Sequence, residues 1–483
     1  MAMLCTSTTN EGSHMKASTK QYLRRIFHWE KDFSSLFVRI ALPIAIQNLV
    51  AASAHIVDGL MIAGLGDAHY AAVAQAGRYS FLFQLFMFGA ASGSSIFIAQ
   101  FFGSKNGDGI RKIMSLCLRI TLSLALLFMV GALTLTGPIM DIFLAPGESH
   151  DLGMDYIKYV CLSYAFNAID VVFSNTLRAT GKPKVAMLSG IASILTNTLL
   201  NYCLIYGRFG FPMLGVKGAA IATVAAALVS VCINVGYTYF ARQVGAMKIR
   251  DVLHLPSRTF IRDYFKKVIP VVINEGLWSL GVTVYSIFYG RYSDAGISAI
   301  GVYNNIDQLM TVLVFGAVNA TSILIGNAIG EGDREKARLT AFRMLFAIEV
   351  LSVCTGTLLI CLRAPLLRMY GAISALSKEA LETASVITLM AGCVMPLRHF
   401  NSLNIVGVLR AGGDTVFSML LDAGSVWLVG VPAVAVAALV FHLPIEGVYA
   451  ATFLDELFKM LCGVPRFLSG KWIHNLTKIG EEK

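Results

Sequence analysis

The sequence contains few charged residues and many long apolar runs. Asp, Glu, Lys and Arg make up only 14% of the 483 residues, and 56% are hydrophobic, whereas a soluble domain carries roughly a quarter charged residues. Apolar runs of about 20 residues, the length of a helix that crosses a bilayer, recur between short polar stretches. The short alternating strands of a membrane β-barrel are missing. The sequence therefore predicts an all-α integral membrane protein with several spans.

The sequence also lacks the common signatures of catalysis and of nucleotide or metal binding. It has no GxxxxGK[ST] phosphate loop, no HExxH or Cys/His metal motif and no GxSxG nucleophile motif. Its nine cysteines are scattered, mostly within apolar runs, and no two have CxxC spacing, which is typical of small apolar filler. We therefore expect neither an enzyme nor a cofactor. Transport by such a chain would be driven by an ion gradient, unless a separate ATPase supplied the energy.

What the sequence does contain is an internal repeat. Pro43–Gly103 matches Pro270–Gly330 without a gap, at an offset of 227 positions. After a five-residue change of offset the match resumes, with Leu-Arg-Ala at 177–179 and again at 409–411. Two membrane halves in the same order, each opening with a proline-bearing helix, are typical of a secondary transporter built from a parallel repeat.

The apolar runs predict twelve transmembrane helices in two pseudo-symmetric six-helix lobes. The twelve spans, numbered 1 to 12 in chain order, are placed at about 37–64, 74–103, 112–137, 154–179, 185–206, 216–241, 265–290, 301–329, 339–362, 382–409, 416–439 and 444–464. This gives five regions, which are a polar and basic N-terminal segment (1–36), an N-lobe (37–241), a linker (242–264), a C-lobe (265–464) and a tail (465–483).

Lysine and arginine collect in the connections on one side of the predicted membrane. The loops between spans 1 and 2, 3 and 4, and 11 and 12 contain neither residue. The positive-inside rule therefore places both termini in the cytoplasm and the chain in the cytoplasmic (inner) membrane. This bias also accounts for the net charge of +10 without a nucleic-acid partner.

Polar side chains are predicted to meet at one depth in the N-lobe. Asp58 lies deep in span 1, Asn197 and Asn201 are one turn apart in span 5, and Thr223 lies in the first turns of span 6. One carboxylate, two amide oxygens and a hydroxyl are hard ligands that suit Na⁺, and the carboxylate alone suits H⁺. Two alternatives stay open: the amides and the hydroxyl hold the helices together, and Asp58 forms a structural pair with His55.

Other polar groups within the spans are interpreted as cavity or network residues. Asn167 and Asp170 share one face of span 4, and Asp170 either lines the central cavity or pairs locally. Spans 7, 10, 11 and 12 of the second half carry a set of charged and polar side chains, which are Glu275, Arg398, His399, Asp422, Glu456 and Lys459. Opposite charges at similar depth predict an ion-paired network, either structural or proton-linked and in contact with substrate.

Five short motifs, in order and at repeat-related positions, resemble those of the multidrug and toxic compound extrusion (MATE) family. They are IAQFFG at 98–103, LRATG at 177–181, GAAIAT at 218–223, GNAIGEGD at 326–333 and LRAGGD at 409–414. The resemblance covers about 37–465, and the tail at 470–476 is similar to that of a bacterial branch of the family.

This resemblance implies twelve helices in two lobes, alternating access and export coupled to Na⁺ or H⁺. The cation site of the family has an Asp in span 1, an N-x-x-x-D pair in span 5 and a Thr in span 6. Asp58, Asn197 and Thr223 match these positions, and Asn201 stands where the family often has Asp. The departure removes one negative charge, and the remaining carboxylate can hold one monovalent cation or one proton.

We therefore expect a monomeric antiporter that exports amphipathic aromatic or drug-like small organic compounds across the lipid bilayer in exchange for Na⁺ or H⁺. Two alternatives stay open at this point. A flippase for a lipid-linked precursor would need a wide cationic cavity. A non-transporting membrane receptor or scaffold would bind a ligand without moving it.

Overall fold

The structure is a computed structural model that describes residues 31–290, 294–373 and 376–479, which are almost entirely helical and contain no β-strand. The helices, of which Leu403–Arg410 and Val426–Gly430 are π-helical, run Lys31–Ala63, Asp67–Gly103, Gly107–Thr134, Thr136–Phe143, Glu148–Val160, Ser163–Ala179, Pro183–Tyr206, Val216–Phe240, Ile249–Leu253, Arg258–Tyr289, Asp294–Gly330, Arg334–Ile373, Lys378–Ser402, Leu403–Arg410, Thr415–Ser425, Val426–Gly430, Val431–Leu439, Ile445–Ala451 and Phe453–Leu468.

Joined across their breaks, these helices form the twelve spans of the predicted architecture. Eight of the described helices are each long and apolar enough to cross a membrane, and the number rises to ten when each of two bent pairs is counted as one span. Span 4 is one such pair, with a bend of 48° between Glu148–Val160 and Ser163–Ala179. Spans 10 and 11 each contain a π-helical segment, a feature that bends helices and is frequent at functional sites. The predicted all-α fold of two six-helix lobes is confirmed.

The lobes pack together through crossings that obey the sequence repeat. Span 2 lies on span 7, where a Cβ added to Gly89 would lie 2.9 Å from Val272 Cα. At positions 227 residues away, Gly316 of span 8 lies on span 1, with the added Cβ 3.0 Å from Ala45 Cβ. Glycine is required at both crossings because a side chain would push the helix backbones apart.

The described contacts between the lobes lie at one end of the bundle. They involve the second halves of spans 2 and 8 and the first halves of spans 1 and 7. The closest approach is a repeat-related pair, in which a Cβ on Gly103 would collide with Asn327 O and a Cβ on Gly330 with Gln100 O. We call this end the tail end, because the chain after span 12 also lies there.

Several helices begin earlier or end later than the hydropathy predicts. Spans 2 and 8 begin seven residues early, at Asp67 and Asp294, and span 7 begins at Arg258 inside the predicted linker. At span 7 the helix starts where Ser257 Oγ accepts a hydrogen bond from Phe260 N at 3.3 Å, a cap that the apolar pattern does not show. The linker also contains the short helix Ile249–Leu253. The first 30 residues of the predicted N-terminal segment lie outside the described residues.

Candidate cation site and substrate cavity

The four polar side chains of the predicted N-lobe cluster lie within hydrogen-bonding distance of one another. Asn201 Nδ2 donates to Asp58 Oδ1 at 2.9 Å and to Asn197 Oδ1 at 3.1 Å, and Asn197 Nδ2 donates to Thr223 Oγ1 at 3.4 Å. The i, i+4 spacing on span 5 puts both amides on one helix face, toward spans 1 and 6. The side chain of His55 lies outside the described residues, so its pairing with Asp58 stays a prediction.

The contacts of Asn197 given above leave its amide oxygen facing the carboxylate of Asp58, and the reverse orientation of this amide satisfies its neighbours better. With Nδ2 toward the carboxylate, it donates to Oδ1 at 2.9 Å and to Oδ2 at 3.0 Å, and its oxygen accepts from Thr223 N at 3.3 Å. With the amide turned over, its oxygen occupies the same place, 2.9 and 3.0 Å from the two carboxylate oxygens. Three oxygens that close repel one another unless a cation or a proton lies among them.

This cluster forms part of the wall of a cavity of about 530 Å³ in the N-lobe. The side chains that line the cavity beside Asp58, Asn201 and Thr223 are mostly aromatic, small or uncharged polar, and include Tyr70, Gly77, Ser80, Phe81, Phe83, Gln84, Tyr156, Tyr164 and Asn167. The rings of Phe83 and Tyr164 stack at 4.4 Å between centroids, and Ser80 Oγ and Tyr164 OH share a hydrogen bond at 2.8 Å. A fixed aromatic wall next to a single carboxylate suits a flat apolar ligand.

The two predicted residues of span 4 have different surroundings. Asn167 lines the cavity, and its Nδ2 donates to Ser163 Oγ at 3.4 Å. Asp170 Oδ1 instead accepts from Ser230 Oγ and from Asn234 Nδ2, both at 2.8 Å and both on span 6, and it is not among the residues that line this cavity. Three residues at about 100° each leave Asp170 about 60° around the helix from Asn167. This rotation is enough for Asp170 to face span 6, and its bonds there favour the local pairing.

In the C-lobe, Glu275 pairs with a buried arginine of span 10. Arg410 Nη1 lies 2.7 Å from Glu275 Oε1, and the Arg410 side chain is only 3% exposed. The same nitrogen donates to Ser92 Oγ of span 2 at 3.5 Å, so this pair also touches the N-lobe. In the N-lobe, Arg178 is the repeat partner of Arg410, and it donates to the uncharged Gln47 Oε1 at 3.2 Å. The repeated arginine thus has a carboxylate partner in one lobe and an amide partner in the other.

Arg398 and His399, neighbours in span 10, have unrelated partners. Arg398 forms a bidentate pair with Asp307 of span 8, at 3.1 and 3.2 Å, and also donates to Tyr303 OH at 2.8 Å. His399 Nδ1 lies 2.9 Å from Ser352 Oγ of span 9. Successive residues of a helix point about 100° apart, which separates the two side chains that the sequence groups together.

A third C-lobe group is centred on Lys459. Its ammonium lies 3.4 Å from Asp422, 3.2 Å from Asp455 and 3.3 Å from Glu456. Asn401 Nδ2 donates to Glu456 Oε2 at 2.7 Å. The second-lobe charges therefore form three separate groups, centred on Arg410, Arg398 and Lys459, and not one continuous network.

Three charged members of these groups, Asp307, Asp455 and Arg410, are not among the residues singled out from the sequence. Asp455 lies four residues before Lys459 in span 12, the spacing that brings helical side chains together. Arg410 belongs to the repeated Leu-Arg-Ala motif, but nothing in a single sequence pairs it with Glu275, 135 residues away. The signal that both residues carry in the sequence is a charge within or at the end of an apolar span. Among the described residues, no group of three or more His, Cys, Asp or Glu side chains is arranged to hold a metal ion.

Relatives of known family share the sequence and the fold. The MatE family model matches residues 43–203 and 270–436. A probable multidrug resistance protein NorM of Thermotoga maritima is 26% identical over 456 residues, with 90% of this chain and 92% of the relative covered. The multidrug resistance protein MdtK of Pectobacterium atrosepticum is 25% identical, with 82% of this chain and 85% of the relative covered.

Solved structures of MATE transporters have the same fold. One, in complex with MaL6, superposes with a TM-score of 0.80 at 20% identity, with 90% of this chain and 96% of the other covered. A second, in an outward-facing conformation, superposes with a TM-score of 0.80 at 19% identity and the same coverage. With the family model matched in both halves and the twelve-span fold in place, the chain belongs to the MatE family of multi-pass membrane transporters.

Proposed function

We propose that this transporter is an antiporter that exports amphipathic aromatic or drug-like compounds in exchange for Na⁺ or H⁺. The observation that carries the proposal is the position of Asp58, which is bonded to Asn201 and lies in the wall of an aromatic cavity. A carboxylate in this environment has a high cost of remaining charged unless an ion or hydrogen-bond donors compensate it. The cation and the cargo would therefore both bind at the wall of the N-lobe cavity that contains Asp58.

The coupling step is a change in how the Asp58 charge is neutralised. Without a cation, the Asn197 and Asn201 amides donate to the carboxylate. When Na⁺ or H⁺ binds, the Asn197 amide turns its oxygen toward Asp58, and its Nδ2 donates to Thr223 Oγ1. This exchange of partners alters the contacts of spans 1, 5 and 6 with one another, and an ion with different affinity for two helix arrangements shifts the balance between them.

The cavity wall indicates the class of cargo. About 530 Å³ is within the range of about 300–1,000 Å³ for small-molecule sites. The exposed rings of Tyr70 and Phe81 lie in its wall, where they can contact a flat molecule. Gln84 and Asn167 add amide groups for the polar end of the cargo. The relatives named above are multidrug resistance proteins, which supports a broad range of organic substrates.

Transport requires the cavity to open to each side of the membrane in turn. The described contacts between lobes gather at the tail end, so the structure is closed there. With both termini in the cytoplasm, as the distribution of lysine and arginine indicates, this conformation faces outward. The Arg410–Ser92 hydrogen bond crosses between the lobes and would break on inward opening, whereas the groups centred on Arg398 and Lys459 lie within the C-lobe and stabilise it.

Efflux from proteoliposomes tests this proposal. Purified protein would be given a Na⁺ gradient or a pH gradient separately, with a fluorescent aromatic cation inside. We expect one gradient to drive efflux, and Asp58→Asn to lower the gradient-driven rate at least about tenfold, because the only ionisable group of the cluster is lost. Asp108→Asn, at an exposed carboxylate beside Arg111, serves as the matched control with unchanged efflux.

Two results would overturn the proposal. If Asp58→Asn exports at the same gradient-driven rate as the wild-type chain, the cation site is not at Asp58. If neither gradient moves the dye, the chain is not an antiporter for aromatic cations, and a lipid-linked cargo should be tested in the same vesicles.

A further inference from the structure

The chain after span 12 turns back onto the protein and packs against it. Gly470 has a φ of +65°, a left-handed conformation that glycine adopts without strain, and the turn brings Trp472 under the end of span 12. The Trp472 side chain is fully buried. Its indole Nε1 donates to Phe467 O at 3.0 Å, and its ring lies nearly parallel to that of Phe467 at 6.2 Å. Residues 472–479 therefore begin from a fixed anchor, and we call them the tail segment.

The tail segment first contacts the turn between spans 10 and 11. His474 N donates to Gly412 O at 2.8 Å, and a Cβ on Gly412 would collide with Trp472. Lys267 of span 7 donates to Gly413 O at 2.8 Å on the same turn. These contacts of Trp472 and of His474 N are with the C-lobe, the lobe to which the tail segment is covalently joined.

The next residues cross to the N-lobe. Gln100 of span 2 is completely buried. Its side-chain amide forms one hydrogen bond with a carbonyl and one with an N–H group of the tail backbone. Its Nε2 donates to His474 O at 3.2 Å, and its Oε1 accepts from Leu476 N at 2.7 Å. The Leu476 side chain, 6% exposed, packs in an apolar cluster with Phe101 of span 2 and Ile113 of span 3. Two backbone hydrogen bonds and one buried side chain thus join the end of the C-lobe to the N-lobe.

This junction lies beside the closest approach of the lobes. Gln100 precedes Gly103 by one turn in span 2, and a Cβ on Gly330 would collide with its backbone oxygen. Its repeat partner in span 8 is Asn327, whose buried Oδ1 has no hydrogen-bond partner among the described residues. Of the two repeat-related amides, Gln100 is hydrogen-bonded to the tail segment and Asn327 is not. These bonds lie at the point where the lobes would separate if this end opened.

We propose that the tail segment is a latch that stabilises the conformation closed at the tail end and undocks from Gln100 when that end opens. The inference rests on the alternating access proposed above. A contact made in one conformation and lost in the other shifts the equilibrium by its own free energy. The latch therefore favours the conformation in which the cavity opens to the opposite side, and each transport cycle must release it.

Distance measurements on the full chain in nanodiscs test the latch. Spin labels at Lys105 and Glu331, two exposed residues on the loops that follow spans 2 and 8, would report the separation of the lobes at the tail end in a background without native cysteines. We expect wild type to give mainly a short distance. Gln100→Met keeps the volume of the side chain but removes both bonds to the tail, together with a longer bond of 3.4 Å from Nε2 to Ala411 O of the C-lobe. It should raise the ratio of long to short distances by roughly tenfold.

A second variant avoids changing a transmembrane helix. Leu476→Ala removes a buried side chain from the tail segment alone and should raise the same ratio by roughly tenfold. Lys478→Ala, at an exposed tail residue, is the matched control and should leave the ratio unchanged. If Gln100→Met and Leu476→Ala both fold and give the wild-type distances, the tail segment is not a latch.

The latch and the proposed antiport fail in different ways. Gradient-driven efflux that depends on Asp58, together with unchanged distances in the tail variants, would leave antiport standing and overturn the latch. Absence of efflux under either gradient, together with a raised long-distance population in the tail variants, would overturn antiport and leave a latch between two conformations of this chain.

Discussion

At the scale of single residues, the central feature is a lone negative charge surrounded by amides. Asp58 is the only carboxylate of its cluster, and the neighbouring Asn201 donates to it at 2.9 Å. The sequence was sufficient to predict this group, because i, i+4 spacing and equal depth bring its members together. The sequence could not predict which end of the Asn197 amide faces Asp58, because this depends on distances of 2.9 and 3.0 Å to the carboxylate oxygens.

Restoring a second carboxylate tests the role of that lone charge. Asn201→Asp replaces the donor with a second negative oxygen beside Asp58 and so strengthens the attraction for the coupling cation. We expect the concentration of that cation, Na⁺ or H⁺, at half-maximal efflux to fall by about tenfold or more. An attraction of ~1.4 kcal/mol, at the low end of what one pair of unit charges supplies in a protein, changes an affinity tenfold. Titration of the efflux rate measures the shift, with Asn201→Leu as the control that lacks both donor and charge. An unchanged half-maximal concentration in Asn201→Asp would place the cation elsewhere.

The pair of Arg410 and Glu275 gives a prediction about stability. Arg410→Ala leaves the carboxylate of Glu275 buried without its cation, and removal of one partner from a buried pair costs about 3–5 kcal/mol. Thermal unfolding in detergent should show a clear loss for Arg410→Ala and a change within ~0.5 kcal/mol for Arg262→Ala, where the exposed arginine lies 3.8 Å from Asp263. Equal losses in the two variants would show that the buried pair has no special role.

At the scale of helices, the internal repeat predicted more than the spans themselves. Matching positions 227 residues apart gave the pairs Gly89/Gly316 and Gly103/Gly330, and the structure places both pairs at helix crossings between the lobes. Hydropathy alone did not give the true ends of spans 2 and 8, because these helices extend beyond their apolar cores. Hydropathy also could not predict that the C-lobe charges separate into three groups, because the rotation of each helix, and not the depth of the residue, determines which partner it contacts.

The close crossing of spans 2 and 8 predicts a severe effect of one methyl group. In Gly330→Ala the new Cβ meets Gln100 O, a backbone atom that cannot move independently, and overpacking of this kind costs about 1–3 kcal/mol. Gly301→Ala in the same helix meets nothing within 4 Å and is the matched control. Thermal unfolding and the spin-label distance between the loops should both change in Gly330→Ala only. A wild-type profile for this variant would mean that the lobes do not approach as closely as described.

The tail segment predicts a dependence of docking on pH. Burial and the positive charges of Lys267, Arg466 and Arg334 lower the pKa of His474, while Asp414 opposes them. The docked tail therefore favours neutral His474, so docking is at full strength above the undocked pKa of about 6.5 and weakens as the pH falls below it. Hydrogen exchange at Leu476 N should accelerate between pH 7.5 and 5.5, after correction for the intrinsic rate, and His474→Gln should abolish the corrected change. Exchange that slows on acidification would contradict this sign.

At the scale of the whole molecule, the two lobes share one fold but carry different chemistry. In the N-lobe a single carboxylate lies in the wall of an aromatic cavity, whereas the C-lobe contains the ion-paired groups centred on Arg398, Arg410 and Lys459. The close helix crossings described between the lobes lie at one end, where the tail segment also crosses. Family membership and two-lobe architecture followed from the sequence. The closed end and the docking of the tail segment could not be predicted from the sequence, because they depend on contacts between residues up to 376 positions apart.

The central claim is that cation and cargo exchange through Asp58, and the reverse of efflux tests it most directly. Proteoliposomes loaded with a fluorescent aromatic cation, without any imposed ion gradient, would be diluted into cargo-free buffer while internal Na⁺ and pH are recorded. Coupling between two ligands is reciprocal, so downhill exit of the cargo should draw one of the two cations inward, and Asp58→Asn should abolish that cation flux. Cargo exit that moves neither Na⁺ nor H⁺ in the wild-type protein would contradict antiport.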